Sequence, residues 1–186
     1  GKSWPEPMQE EAFYGLAGDI VRTLEPHTES DPAALLIQFL IGFGNLIGRG
    51  PHFKAEADEH FTNEFAVVVG RTSKGRKGTS AGQIRRLFES VDPDWINDCC
   101  VPGGGLSTGE GLIWHVRDTV ADPDGEMADA GVTDKRMLIQ EPEFASVLKN
   151  MNRERNTLSP VIRNGWDGKQ LRTLTRSNSM KASKTH

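Results

Sequence analysis

The spacing of apolar residues predicts a chain that begins with helices. Residues 8–24 carry apolar side chains at helical spacing, and Glu25-Pro26 gives the signal that ends such a helix. Asp31-Pro32 combines a capping side chain with a proline in the first turn, which predicts a second helix from Ala33 to Ile47. That helix is apolar nearly all round, yet it is shorter than the about 20 residues of a membrane span. We therefore expect it in a buried core and expect no membrane partner.

Strand patterns follow these helices. The segment from His52 to His60 alternates weakly between apolar and polar residues, which favours a hairpin. The run from Phe65 to Val69 is fully apolar and predicts a buried strand. After a loop, apolar residues return at helical spacing between Ile84 and Val91. Strand, loop and helix in that order are how a nucleotide-binding P-loop is built.

The loop between this strand and this helix is rich in glycines, hydroxyls and cations. Backbone N–H groups and the positive end of the helix would hold phosphate oxygens, a lysine would add a charge, and a hydroxyl would reach a bound Mg²⁺. We therefore expect ATP and Mg²⁺ as cofactors. The predicted nucleotide-binding residues are Gly70, Thr72, Ser73, Lys74, Gly75, Arg76, Lys77, Gly78, Thr79 and Ser80.

This loop departs from the strict motif, which is Gly, four residues, Gly-Lys and then Ser or Thr. Its two outer glycines keep the spacing, but Arg76 occupies the lysine position. A one-residue insertion would give Lys77 the lysine role and would leave Thr79 or Ser80 at the metal ion. The alternative interpretation is a mobile basic turn in front of a surface helix.

P-loop enzymes also need a strand that ends in carboxylates. Here Leu138-Ile139 is followed by Gln140, Glu141 and Glu143. Parallel strands end at the same edge of a sheet, so these acids would lie beside the phosphate loop, where one helps to hold the metal and another orients the attacking water. The predicted catalytic residues are Lys77, Glu141 and Glu143, and the predicted metal-side residues are Thr79, Ser80 and Glu141. Alternatively, the acids begin the next helix, where they favour its dipole.

A second glycine-rich stretch runs from Pro102 to Gly111. Thr108 or Ser107 in it can cap a helix that starts at Gly109. The stretch contains no lysine and follows no buried strand, so we do not assign it to phosphate binding. Glu110 is its one candidate for chemistry, and a flexible loop with a helix cap is the alternative. Residues 118–134 are acidic and poor in large apolar groups, which predicts a surface loop.

The remaining elements are predicted from the same patterns. Apolar spacing predicts a helix from about Glu143 to Asn152, and Ser159-Pro160 starts another. The segment from Leu171 to Thr175 alternates like a strand. The polar, basic stretch from Ser177 to Lys184 is predicted to be a mobile loop.

The C-terminal segment reverses the charge balance. The whole chain has a formal net charge of -4, but from Met151 to His186 eight Lys and Arg residues accompany two acids. A basic stretch with hydroxyls, amides and an aromatic residue suits a nucleic-acid strand, through phosphate contacts and stacking. The predicted nucleic-acid residues are Arg163, Trp166, Lys169, Arg172, Arg176, Lys181 and Lys184. The alternative is an ordinary solvated face with the tryptophan in the core.

Length and composition are those of an ordinary soluble protein. The 186 residues are a single-domain length and long enough for a real core. Cys99 and Cys100 are adjacent and cannot form a disulfide framework, which fits a reducing cytoplasm. The first residues lack the apolar core of a signal peptide. The chain starts without Met and ends at His186 without a capping pattern, which suggests a fragment of something longer.

Several stretches occur in the same order as in a known family. They are Val67 to Ser80, Leu106 to Ile113, Glu141 to Ala145, Leu158 to Arg163, and Trp166 to Gly168. With these stretches the chain resembles a family of P-loop helicase-like ATPases from phages, plasmids and other mobile elements, often linked to primase–polymerase domains. The resemblance covers nearly the whole chain and is more specific than the P-loop alone.

The resemblance implies an α/β fold, a RecA-like P-loop NTPase with a mostly parallel sheet. Residues 1–50 would form a helical N-terminal lead-in, and residues 51–186 an NTPase core that is truncated at its C-terminus. His186 would be the first residue of a further strand. The resemblance also implies Lys77 as the phosphate lysine and Glu141 as the acid of the second strand.

Two functional hypotheses follow. The first is an ATP-hydrolysing, helicase-like motor that acts on single-stranded DNA in replication of a mobile element or phage. It would work as a homo-oligomer, with an arginine supplied in trans and a primase–polymerase partner. The alternative is a nucleotide-switched nucleic-acid-binding module without turnover, because Gln140 replaces the usual acid. A kinase-like phosphotransferase would need a small-molecule pocket that no motif identifies.

Overall fold

The computed structural model describes residues 6–70, 77–174 and 179–186, with the backbone alone at Lys77. Within these ranges the structure contains seven α-helices: α1 Gly15–Leu24, α2 Pro32–Ile47, α3 Lys77–Val91, α4 Pro93–Asp98, α5 Gly109–His115, α6 Phe144–Met151 and α7 Leu158–Trp166. Short 3₁₀ helices cover Glu10–Ala12 and Glu25–His27. The strands are β1 His52–Ala55, β2 Asp58–Phe61, β3 Cys100–Val101, β4 Val120–Ala121, β5 Met127–Asp129, β6 Leu138–Ile139, β7 Leu171–Arg172 and β8 Lys181–Ala182.

The described strands form four separate two-stranded sheets rather than one extended sheet. β1 pairs with β2, β4 with β5, and β7 with β8, all antiparallel. β3 pairs with β6 in parallel, with Cys100 opposite Leu138 and Val101 opposite Ile139. The backbone of His186 pairs with the residues just before β6, because its N–H donates to the Lys135 carbonyl and its carbonyl accepts from the Met137 amide.

The expectation of a RecA-like P-loop domain with a mostly parallel sheet is therefore wrong. Such a domain needs a strand from Phe65 to Val69, but this segment forms no strand. Phe65 is 50% exposed and Val69 69% exposed. An apolar run predicts burial, yet it does not specify a partner strand. The parallel partner of β6 is instead β3, a two-residue strand directly after α4 that the sequence patterns did not reveal.

Helices α1 to α4 enclose the larger hydrophobic core. Its aromatic centre is formed by Phe39 and Phe88, whose rings stack with centroids 5.7 Å apart, and by Trp95, which meets Phe88 edge-on at 5.3 Å. Gly42 allows α2 to approach α3, since a Cβ at this position would lie 2.6 Å from the Phe88 ring. Close helix contact and aromatic packing thus hold this half of the chain together.

A smaller core lies under the C-terminal hairpin. It contains Ile113 of α5, Val116 at the end of that helix, Val161 of α7, and the facing hairpin residues Leu171 and Ala182. All five are buried. The hairpin β7–β8 is therefore fixed to helices by one of its faces.

One buried amide connects the larger core to the end of the chain. Asn45 Oδ1 accepts a hydrogen bond from Trp95 Nε1 at 3.0 Å, and Asn45 Nδ2 donates to the His186 carbonyl at 3.1 Å. Asn45 is 6% exposed, so neither bond is easily replaced by water.

Most local predictions are confirmed. Asp31 caps α2 by accepting from the Ala33 amide, Thr108 caps α5 by accepting from Gly111, and a hairpin precedes residue 65. Predicted helices are observed as α1, α3, α6 and α7. The first is shorter than predicted, because α1 begins at Gly15 rather than at residue 8.

Two predicted loops instead contain strands. The acidic stretch 118–134 includes the β4–β5 pair, which Arg117 stabilises through an ion pair with Asp129 at 2.6 Å. The stretch predicted as a mobile loop from Ser177 to Lys184 contains β8.

Among the described helices, none has the length and apolar character needed to cross a membrane.

Removal of the Asn45 amide should destabilise the fold. In Asn45→Ala, the buried Trp95 Nε1–H loses its acceptor, so we expect the free energy of unfolding to fall by about 1–3 kcal/mol in urea titrations. Asn97→Ala, at an exposed position of α4, is the matched control and should change the free energy of unfolding by less than about 0.5 kcal/mol. Equal losses in the two variants would contradict the role assigned to Asn45.

The two thiols should be protected from alkylation in the native state. Burial raises the pKa of Cys99 to about 12, with a further contribution from a hydrogen bond to Asp134, and burial raises the pKa of Cys100 to about 11. Both thiols are therefore protonated near neutral pH, and their contribution to stability is lost as the pH rises above about 9. At about pH 8, a thiol reagent should react slowly with native protein and rapidly after denaturation. Rapid native labelling that persists in Cys100→Ser would contradict burial of Cys99.

Candidate functional site

The predicted phosphate loop lies partly outside the described residues. Positions 71–76 are not described, and they include the predicted residues Thr72, Ser73, Lys74, Gly75 and Arg76. The side chain of Lys77 is likewise outside the description, although its backbone begins α3. The structure therefore locates Gly70, Gly78, Thr79 and Ser80.

The two candidate hydroxyls at the start of α3 have different environments. Ser80 is completely buried, and its Oγ accepts a hydrogen bond from Gln38 Nε2 of α2 at 2.8 Å. Thr79 is exposed, as is Gly78. Ser80 thus fastens α3 to α2, and Thr79 is the hydroxyl that faces solvent.

Glu141, the predicted catalytic acid, contacts the second glycine-rich loop. Its Oε1 accepts from the Leu106 amide at 2.6 Å. Its Oε2 lies 2.5 Å from the position of a Cβ at Gly104, which also has a φ of +88°. A side chain at Gly104 would therefore collide with the carboxylate and strain the backbone. The carboxylate of Glu141 positions this loop.

Two asparagines that the sequence analysis missed hold the same loop. Asn150 Nδ2 donates to the Leu106 carbonyl at 2.8 Å, and Asn156 Nδ2 donates to the Ser107 carbonyl at 2.7 Å. Both bonds join residues more than forty positions apart in the chain. No local pattern reports such contacts, so no sequence signal was available.

The other two acids of this region also accept hydrogen bonds from side-chain hydroxyls. Glu110 Oε2 accepts from Thr157 Oγ1 at 2.9 Å. Glu143 is exposed immediately before α6, and its Oε2 accepts from Ser146 Oγ at 3.3 Å. Within the described ranges, no group of three or more His, Cys, Asp or Glu residues is arranged to hold a metal ion.

The β7–β8 hairpin brings two predicted nucleic-acid residues together. In its antiparallel register Leu171 faces Ala182, and Arg172 faces Lys181. The first pair is buried at 2% and 0% exposure, whereas Arg172 and Lys181 are exposed. Since successive strand residues point to opposite faces, burial of the first pair directs both cations to solvent.

Asp118 anchors this hairpin to the body of the protein. Its carboxylate accepts from the Ser183 amide at 3.0 Å and the Ser183 hydroxyl at 2.7 Å, and Lys135 Nζ lies 3.1 Å away. Burial opposes ionisation of Asp118, but these bonds outweigh it and lower the pKa of the carboxyl group. The Asp118 amide also donates to the Lys181 carbonyl.

Trp166 and Lys169 lie in acidic surroundings. Trp166 is 51% exposed at the end of α7, and it lines an open cavity of about 280 Å³ together with Asp58, Glu59, Glu64, Asp167 and Lys169. Lys169 Nζ pairs with Asp167 at 2.8 Å. These carboxylates disfavour a phosphate group at this position.

The remaining predicted nucleic-acid residues are dispersed. Arg163 is exposed on α7, and Lys184 is exposed with a φ of +55° beyond β8. Arg176 falls outside the described residues. Of the seven predicted residues, the structure therefore pairs Arg172 with Lys181.

The structural role of Glu141 can be tested by its removal. In Glu141→Ala, the Leu106 amide loses a charged acceptor, so the free energy of unfolding should fall by about 1.5–3 kcal/mol in urea titrations. Glu143→Ala, which removes an exposed carboxylate two positions away, should change it by less than about 0.5 kcal/mol. If the Glu141 variant were as stable as wild type, the loop would not depend on this carboxylate.

Comparison with known proteins adds no assignment to this geometry. No protein-family model, no curated protein and no solved structure matches the chain.

Proposed function

We propose that this protein binds single-stranded DNA through the solvent face of the β7–β8 hairpin. The observation that carries the proposal is the direct juxtaposition of Arg172 and Lys181 on that face. Like charges directly opposite each other destabilise a strand pair. A phosphate group between the two cations would remove this repulsion, so the free hairpin favours a polyanionic ligand.

The surroundings of this pair support the proposal. Neither cation has an ion-pair partner among the described residues, whereas Lys135 and Lys169 are both paired with aspartates. The sequence around the hairpin is also rich in hydroxyls and amides, which can donate to phosphate oxygens. Although the whole chain has a net charge of -4, this face of the hairpin is locally cationic and can contact phosphate groups.

The proposed interface is narrower than the set of residues predicted from sequence. Arg172 and Lys181 form its centre, with Lys184 beyond the end of β8. Trp166 and Lys169 are excluded from it, because carboxylates surround them. Nucleic-acid contacts by Arg163 and Arg176 stay predictions.

Nucleotide binding also stays a prediction. ATP and Mg²⁺ would lie at residues 70–80, with Thr79 rather than buried Ser80 as the metal-side hydroxyl. Of the two sequence hypotheses, we favour the nucleotide-switched binding module over the helicase-like ATPase. The reason is that Glu141 Oε1 accepts from the Leu106 amide, which gives this carboxylate a role in holding the second glycine-rich loop. Homo-oligomerisation and a primase–polymerase partner stay predictions.

The proposal predicts a specific loss of DNA affinity. Fluorescence anisotropy would follow binding of labelled oligo(dT) of about 20 nucleotides, which exceeds a typical single binding site. In Arg172→Ala/Lys181→Ala, we expect at least about tenfold weaker binding. The logarithm of the association constant falls linearly with the logarithm of the salt concentration, and this slope should become less steep by about 1.4. Each lost phosphate contact on a single strand contributes about 0.7 to its magnitude.

The control is Lys149→Ala/Arg153→Ala, which removes the same two charges at exposed positions in and just after α6. This variant should bind oligo(dT) within about twofold of wild type. An equal loss in both double variants would indicate a response to net charge alone. That result, or unchanged binding by the hairpin variant, would contradict the proposed interface.

A further inference from the structure

We infer that Leu174 contacts an unpaired base of the bound strand, so that the hairpin selects nucleic acid whose bases are unstacked. This inference rests on the proposed function and adds a specificity-determining residue to it. Leu174 is 79% exposed, more than any other Leu, Ile or Val in the described part of the chain.

The alternation of buried and exposed residues continues past the end of β7 and places Leu174 on the same side as the cations. Leu171 and Thr173 are buried at 2% and 6% exposure, whereas Arg172 and Leu174 are exposed. Because strand side chains alternate with a period of two, Leu174 follows Arg172 on the solvent face. An apolar group and two cations therefore share one surface.

Backbone and side-chain bonds at Thr173 fix this orientation. The Thr173 amide donates to the Met180 carbonyl at 2.9 Å, which continues the pairing beyond β7 and β8. Ser179 Oγ donates to the Thr173 carbonyl at 3.2 Å, and the Met180 amide donates to Thr173 Oγ1 at 3.4 Å. Leu174 could reach the small core only by breaking these bonds, so its exposure is imposed by the hairpin.

A ligand for this surface must be anionic and must also present an apolar face. Single-stranded nucleic acid meets both conditions, because its phosphates are charged and its base faces are accessible. In a duplex the base faces are covered by stacking, and apolar side chains reach them only by unstacking a step. The combination of Arg172, Lys181 and Leu174 therefore favours a single strand over a duplex.

The test separates base contact from phosphate contact. Anisotropy titrations would compare oligo(dT), an abasic strand of the same length and charge, and a blunt duplex. Wild type should bind oligo(dT) about fivefold more tightly than the abasic strand, as expected for burial of one or two methyl groups. Leu174→Ala should lower oligo(dT) affinity to that of the abasic strand and leave abasic binding unchanged.

Leu148→Ala, which truncates another exposed leucine on α6, is the matched control and should retain the fivefold ratio. Because Leu174 is exposed, its truncation should leave the unfolding transition unchanged, and a thermal melt would check this.

Equal binding of oligo(dT) and the abasic strand by wild type would overturn the inference about Leu174, as would a fivefold ratio that persists in Leu174→Ala. In both cases the proposed phosphate interface would stand. Absence of binding to either strand would instead overturn the proposed function itself.

Discussion

The amide of Asn45 is the interaction on which the arrangement of the larger core depends. It lies in α2, accepts from the indole of Trp95 in α4, and donates to the backbone of His186. The backbone of His186 in turn bonds to Lys135 and Met137, just before β6, and β6 pairs with β3. A single side chain therefore joins the helical half of the chain to its parallel strand pair. Because the site is buried, its polar atoms have no alternative partners in water.

The proposed interface follows from a comparable constraint in the smaller core. Leu171 and Ala182 must face α5 and α7, since they complete a cluster with Ile113 and Val161. In this register Arg172 and Lys181 are paired, and both project from the opposite face of the hairpin. Packing on one face of the hairpin thus determines which side chains are exposed on the other face. The surface chemistry is a consequence of burial beneath it.

Local signals predicted local structure well, whereas long-range pairing was not predictable from them. Asp31-Pro32 and Thr108 identified helix starts because a cap involves residues within three positions of each other. The run from Phe65 to Val69 misled the fold assignment, because apolarity does not identify a neighbouring strand. The basic character of the C-terminal segment was apparent from sequence, but the pairing of Arg172 with Lys181 depends on a register that only the structure supplies. Likewise, the acid at Glu141 was noticed, but its partner at Leu106 was not.

The glycines of α2 have a consequence for how this helix forms. Gly42 accommodates the Phe88 ring, and Gly44 lies against the backbone of Thr62. Each glycine lowers the intrinsic tendency to be helical by about 1 kcal/mol relative to alanine. The most apolar of the described helices therefore gains its order from docking rather than from its own sequence. Its secondary structure and its tertiary contacts arise together, and a peptide with this sequence alone would be largely unstructured in water.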